Sequence, residues 1–217
     1  MWCANDKNGF FNSSLGQIDP TTLAGTILMN YVKTNNLNNI VDIGTWNGLG
    51  STKCFLLALQ DNFKTKFISL ETNAEKTELA KKNLEDLLKN VNGELMCGSV
   101  INRGDITNLI ETFPEIKDNA EFQRWHSIDL FNITKSNYLF DKIPEEIDFV
   151  LFDGGEFTTY YEFVKLFPRC KKFIALDDVN TSKCFKIREI LKNHPSWTEV
   201  EYTPERGGFS IFKNISE

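Results

Sequence analysis

The sequence predicts an α/β fold: one doubly wound, mostly parallel sheet with helices on both faces. Three observations predict it. Short, fully apolar segments recur along the chain and alternate with helix-period segments. The first apolar segment runs into a glycine-rich turn, and later ones stop at an acid. The last two flank a turn with no room for a helix. Alternating buried strands and helices give a parallel sheet with right-handed crossovers. The closing pair adds an antiparallel hairpin at one edge, and the strands number seven in all.

Asp19-Pro20 predicts an N-cap and a first helical position, and Leu23, Ile27 and Tyr31 repeat at helical spacing, so residues 20–34 are expected to be a helix. Ile40–Ile43 is the first strand, and Ser51–Gln60 the helix after its glycine turn. Phe67–Leu70 is the second strand. Thr72 and Glu75 then suggest a capping box, before a helix with Ala80, Leu84, Leu87, Leu88 and Val91 on one face. Leu95–Cys97 is the third strand, ending at Gly98-Ser99. Ile147–Phe152 and Phe173–Leu176 are the fourth and fifth, with helices expected near 157–167 and 181–193. Val200 and Tyr202, then Phe209, Ile211 and Phe212, mark the final strands around the turn 204–208. Residues 100–146 break the rhythm. No strand is predicted there, and the stretch is too long for one crossover, so it is expected to be a lid or a pair of helices packed on the sheet.

The 217 residues suit a single domain, 1–217, with residues 1–18 as a flexible N-terminal arm. A net charge of -6 argues against nucleic acid as a partner. Five scattered cysteines, none in a CxxC, fit neither a disulfide framework nor a zinc site and suggest a reducing compartment. The first residues are too polar for a secretory signal, and no apolar run could span a bilayer. The expectation is a cytoplasmic protein with no membrane partner.

In an open parallel sheet, ligands sit beyond the carboxyl ends of the strands, where the strand order reverses. The first strand and turn read Val41-Asp42-Ile43-Gly44-Thr45-Trp46-Asn47-Gly48-Leu49-Gly50-Ser51. The spacing is G-x-x-x-G-x-G, unlike the G-x-G-x-x-G that presses a pyrophosphate against a helix start. A nucleoside bearing an amino-acid end fits better. Asp42 can meet an ammonium, and the N–H groups of residues 44–51 can meet a carboxylate. That points to S-adenosylmethionine. Glu71, at the end of the second strand, stands where an acid can accept hydrogen bonds from ribose hydroxyls. The plainer alternatives are a packing turn and a surface acid near a helix start.

Asp42 to Ser51, then Glu71, Gly98-Ser99, Phe152-Asp153-Gly154-Gly155 and Leu176-Asp177-Asp178-Val179, resemble the class I S-adenosylmethionine-dependent methyltransferases. The branch they resemble is the small-molecule O-methyltransferases. The resemblance runs over about residues 20–213 and implies a Rossmann-like, seven-stranded sheet with a reversed last strand. It implies cofactor contacts from Asp42, Gly44, Thr45, Trp46, Gly48, Ser51, Glu71, Thr72, Gly98, Ser99 and Asp153, with the adenine near Gly98-Ser99.

Methyl transfer is an in-line displacement at a sulfonium carbon, so the protein has chiefly to orient the acceptor and accept its proton. Asp153, Asp177 and Asp178 end neighbouring strands. Carboxylates at one point repel unless a cation or a shared proton compensates. The catechol-type O-methyltransferases, which the chain is similar to, hold Mg²⁺ with an Asp after strand four and an Asp-Asn pair after strand five. Asp153, Asp177 and Asp178 match those positions, so Mg²⁺ or Ca²⁺ is an expected ligand. Asp153 and Asp178 are thereby expected to be catalytic. The related Asp-Gly-Asp-His is here Asp153-Gly154-Gly155-Glu156, so the His is missing and Glu156 is its expected substitute as ligand or base. His126 is an outside candidate, and His194 is read as structural. The functional expectation is O-methylation of a small polar or sugar-like acceptor, with a homodimer left open. A non-catalytic relative and an NAD-dependent oxidoreductase are the alternatives.

Overall fold

The computed structural model describes residues 18–216. The expected arm, apart from Ile18, lies outside the described residues.

The chain runs α1 (Leu23–Thr34), β1 (Asn39–Ile43), α2 (Ser51–Ala58), β2 (Lys66–Glu71), α3 (Ala74–Asn83), α4 (Glu85–Leu88) and β3 (Asn92–Ser99). Then come α5 (Leu109–Thr112), α6 (Ala120–Lys135), β4 (Asn137–Tyr138), β5 (Ile147–Phe152), α7 (Thr159–Leu166), β6 (Cys170–Asp177), α8 (Phe185–Lys192), β7 (Trp197–Thr203) and β8 (Phe209–Asn214). One sheet joins all the strands in the order β4-β3-β2-β1-β5-β6-β8-β7. Every pairing is parallel except those of β8, which runs antiparallel to both β6 and β7. The expected fold class therefore holds, with eight strands in place of seven.

The extra strand lies in the stretch where none was expected. β4 is two exposed polar and aromatic residues, Asn137 and Tyr138, paired with Gly98 and Ser99. So short a segment carries no alternation to read. Gly98 permits the pairing, because a Cβ there would stand 2.5 Å from the Asn137 carbonyl oxygen and 2.3 Å from Leu139 Cδ1.

Three helix starts also differ from expectation. Asp19-Pro20 forms a turn ahead of α1. Thr22 is the cap, accepting from the Gly25 N–H, while Asp19 accepts from Thr21. The Thr72/Glu75 capping box does not form: Asn73 is the N-cap and accepts from the Lys76 N–H. Either cap satisfies an orphan helical N–H, so the register of the loop decides which residue serves. α8 starts at Phe185, four residues after Thr181, because residues 178–184 make a turn of their own.

Strand side chains alternate between two apolar layers. Ile40, Phe67, Phe149, Leu151, Phe173 and Ala175 face α1 and α2. Val41, Ile43, Ile68, Leu70, Val150, Phe152, Ile174 and Leu176 face the opposite layer with Phe157, Phe163 and Leu166. Phe55 of α2 packs on Phe67 and Phe149 at ring separations of 5.3 and 5.8 Å. Each such fully buried ring contributes about 1.5–3 kcal/mol. These layers fix the strand ends, and with them the loops that form the site.

Candidate functional site

The strand order reverses between β1 and β5, so the loops after these two strands open side by side. The Asp153 N–H donates to the Ile43 carbonyl at 2.9 Å, and Gly44 and Thr45 both donate to the Leu70 carbonyl at 3.0 Å. Gly44 has φ +106°, and a Cβ there would fall 2.0 Å from the Asp153 carbonyl oxygen. Only glycine lets the two loops meet so closely. Trp46 also adopts a left-handed conformation, φ 47°, which turns its N–H onto Glu71 Oε2 at 2.7 Å. Gly48 closes the turn against α3, where a Cβ would lie 2.5 Å from Leu84 Cδ1.

A cavity of about 370 Å³ opens at this junction. Gly44, Thr45, Trp46, Gly50 and Ser51 form one wall, and Glu71, Thr72 and Gly98 continue it. Asp153, Gly154, Gly155, Thr158 and Glu162 form the facing wall. Ile18 and α6 residues Asp129, Asn132 and Ile133 complete it. Gly44, Thr45, Trp46, Ser51, Glu71, Thr72, Gly98 and Asp153 of the expected cofactor set thus share one cavity. Asp42, Gly48 and Ser99 lie behind its surface.

Asp42 is fully buried beneath the turn, where the hydroxyls of Thr52, Ser69 and Ser51 donate to it at 2.6, 2.8 and 3.3 Å. Burial pushes its carboxyl up to about 7 against those hydrogen bonds. Glu71 also sits above its ordinary range through burial, although the N–H groups of Trp46 and Asn73 donate to it.

Glu162 and Asp129 are cavity residues that sequence reasoning missed. Glu162 is buried on α7. One carboxylate oxygen accepts from the Ser99 hydroxyl at 3.1 Å, and the other is buried with no partner among the described residues. Burial raises it to about 7. A signal existed: Thr159, Glu162, Phe163 and Leu166 form the buried stripe of α7, so Glu162 is a charge on an apolar face. Asp129 accepts from the Phe157 N–H at 3.1 Å and is raised by burial to about 6. It lies in a stretch with no readable motif.

At the ends of β5 and β6 the expected acids converge. Asp153, Asp177 and Asp178 each bring a carboxylate oxygen within 4.8 Å of the others. Lys183, from the turn before α8, stands among them. Its Nζ lies 2.8 Å from Asp153 Oδ1 and 2.7 Å from Asp178 Oδ2, and the side chain is only 10% exposed. Burial pulls the ammonium down, but Asp153, Asp178 and Asp177 more than reverse this and hold it charged. Asp177 is pushed well above the usual range by burial and by the charges of Asp153 and Asp178. Lys183 thus compensates Asp153 and Asp178 from within the chain, while Asp177 Oδ2 and Asp178 Oδ1 are buried without a hydrogen-bond partner among the described residues.

Glu156 is raised to about 7 by burial and by Asp178 and Asp129, with Lys183 opposing. It does not line the cavity surface. His126 packs edge-on to Phe157 with ring centroids 6.3 Å apart, and burial lowers its pKa. His194 accepts from the Ser196 N–H at 3.2 Å and packs on Phe167.

The cavity's lining fits a cationic nucleoside. Glu71, Asp129, Asp153 and Glu162 line it, with no Lys, Arg or His among the lining residues, and a buried oxygen of Glu162 lacks a partner. The charged side chains of the lining would repel a pyrophosphate. The acid cluster does not fit a divalent ion as it stands. Such an ion needs oxygens at about 2.0–2.6 Å, and Lys183 Nζ already bridges two of the three ligating acids.

No family model matches the chain, and no curated protein matches it in sequence. Solved structures match its fold. An O-methyltransferase from Bacillus cereus in complex with SAH is 17% identical over 92% of this chain and 84% of that one, with a TM-score of 0.56. An SAH-bound methyltransferase from Podospora anserina is 10% identical over 88% and 77%, with a TM-score of 0.58. A methyltransferase from Geobacter sulfurreducens is 10% identical over 88% and 78%, with a TM-score of 0.54. The chain has the fold of the class I S-adenosylmethionine-dependent O-methyltransferases.

Proposed function

We propose that this chain is an S-adenosylmethionine-dependent methyltransferase acting on a hydroxyl of a small polar or sugar-like acceptor. The observation that carries the reading is the cavity at the β1/β5 reversal, lined by four carboxyl side chains and no basic ones. Such a lining favours a sulfonium and an ammonium and disfavours a dinucleotide, so it speaks against the NAD-dependent alternative.

When bound, S-adenosylmethionine supplies a methyl carbon activated for in-line displacement. The chain's own groups bind and orient. Glu71 accepts from ribose hydroxyls while its other contacts keep the glycine turn in place. The N–H groups of the turn and of the start of α2 hold the amino-acid carboxylate. Glu162, hydrogen-bonded to the Ser99 hydroxyl, lines the cavity across from Gly98 on the adenine side. Asp153 bounds the cavity where the acceptor approaches. The cofactor's methyl would pass to the acceptor oxygen, and the electron pair of the broken carbon–sulfur bond would stay on sulfur. The hydroxyl proton leaves to a carboxylate of the lining, and Asp129, raised by burial to about 6, has the affinity for that role.

Calorimetric titration with S-adenosylhomocysteine and with NAD tests the reading. Saturable binding of the first and none of the second is expected, followed by a gain of one methyl mass on an acceptor in a hydroxyl-compound screen. A folded protein with no affinity for S-adenosylhomocysteine overturns it.

A further inference from the structure

We propose that Lys183 is a built-in cation standing where a divalent metal would sit among Asp153, Asp177 and Asp178, so that this site works without a metal. The inference rests on the methyltransferase reading only for what the site does; the ion competition itself is independent of it.

The three acids form the one group of His, Cys, Asp or Glu side chains close enough to hold a metal among the described residues. Three carboxylates at such a point need compensation. An ion could give it, but Lys183 already does, with hydrogen bonds of 2.8 and 2.7 Å to two of the acids. These are short, charge-assisted bonds. An ion within coordinating distance of the same oxygens would have to displace the ammonium or share its space. Two positive charges there would repel each other strongly even at an effective dielectric of ~20.

The turn that delivers Lys183 is itself built around the cluster. Asp178 sits at φ 54°, in the left-handed region. The N–H groups of Val179 and Asn180 donate to the carbonyls of Gly208 and Gly207 at 3.1 and 2.8 Å, and Thr181 N–H donates to the Asp178 carbonyl at 3.0 Å. Gly207 lies against Asp178, where a Cβ would stand 2.1 Å from Oδ1. That oxygen is buried and faces the glycine without a hydrogen-bond partner among the described residues. Asp178 therefore offers Oδ2 to the cluster, and Lys183 takes it.

The consequence concerns Asp153, the member of the cluster that lines the cavity. The ammonium holds Oδ1 of this carboxylate at 2.8 Å and fixes its direction, which a metal would otherwise do. Lys183 is in this sense a positioning residue. A tethered ammonium does not draw two oxygens of one acceptor together as a divalent ion does. The acceptor class it suits presents a single hydroxyl, with no need for a chelating pair.

The test is a titration of the whole chain with Ca²⁺ and with Mg²⁺ by calorimetry, for the wild type, Lys183→Ala and Lys183→Met. The wild type is expected to bind neither ion at millimolar concentration. The variants are expected to bind Ca²⁺ with a Kd on the order of 10⁻⁴–10⁻³ M, and to gain thermal stability on adding it. Lys183→Met keeps the apolar stem and covers the case in which Lys183→Ala does not fold. Ion binding by the wild type that Asp178→Asn abolishes overturns the proposal. So does a folded Lys183 variant that gains no affinity, because the place would then not be a metal's. S-adenosylhomocysteine binding, measured in parallel, reports separately on the methyltransferase reading. If that binding is absent while the ion results stand, the function fails and the built-in cation survives.

Discussion

The two walls of the cavity solve the same electrostatic problem in different ways. On the β1/β2 side, Asp42 is compensated by the neutral hydroxyls of Ser51, Thr52 and Ser69. On the β5/β6 side, Asp153 and Asp178 are compensated by the full charge of Lys183. Hydroxyls soften burial without cancelling charge, so the first wall stays titratable near neutrality. An ammonium fixes the second wall as an ion pair. Carboxyls raised by burial can answer the charge of a ligand, whereas Asp153 and Asp178 are already paired from within.

The sharpest way to break this comparison is to force the walls apart. Gly44→Ala places a Cβ 2.0 Å from the Asp153 carbonyl oxygen at φ +106°. Strain and overpacking each cost about 1–3 kcal/mol, so a loss of more than about 3 kcal/mol is expected in urea unfolding, together with loss of S-adenosylhomocysteine binding. Wild-type values for both would show that the walls do not meet at this glycine.

The next effect tests how the first wall is compensated. The raised carboxyl of Asp42 means that the folded chain binds its proton more tightly than the unfolded chain. That contribution to stability is complete below the ordinary carboxyl range, about 4, and is lost as pH rises through about 7. Asp42→Asn should therefore flatten the fall in stability between those pH values by roughly 3–4 kcal/mol. Parallel stability–pH curves for the two proteins would count against the burial argument.

Glu71→Gln probes the ligand side of the same wall. It keeps an oxygen for the Trp46 N–H but loses the charge. Loss of a charge-assisted hydrogen bond costs about 1.5–2 kcal/mol, or about 10–30-fold in S-adenosylhomocysteine affinity. Lys183→Met, on the other wall, should change that affinity far less. Equal losses in both would erase the distinction between the walls.

The first wall was legible in the sequence and most of the second was not, and the reason is local. The glycine turn and Glu71 follow directly on strands, where an apolar run and its stop can be read within a few residues. Asp153, Asp177 and Asp178 were legible for the same reason. Lys183 was not, because an isolated Lys after a strand looks like any solvated cation until the turn at 178–184 folds it inward. Asp129 and Asn132 come from α6, 31 and 34 residues after Gly98, the preceding strand residue that also lines the cavity, and nothing local announces them. β4 was missed because two residues carry no period. The fold class needed only periodicity, whereas the charge balance needed tertiary contacts.

Glu162 gives the smallest effect and separates charge from shape within the cavity. It is raised to about 7 chiefly by burial, with the Ser99 hydroxyl opposing. Below that value it is mostly protonated and offers a bound cation little; above it the carboxylate attracts the sulfonium. S-adenosylmethionine affinity should therefore rise from pH 6 to pH 8, by about two- to fivefold, or roughly 0.4–1 kcal/mol. S-adenosylhomocysteine has the same shape without the sulfonium charge, so its affinity should rise less. Glu162→Gln should remove the difference between the two ligands while leaving the homocysteine compound bound. Calorimetry in two buffers of different ionisation enthalpy gives an independent readout, because ionising Glu162 on binding releases a proton. If the variant keeps the wild-type difference between the ligands, the buried carboxyl is filling space and the charge response of this cavity lies in Glu71 or Asp129.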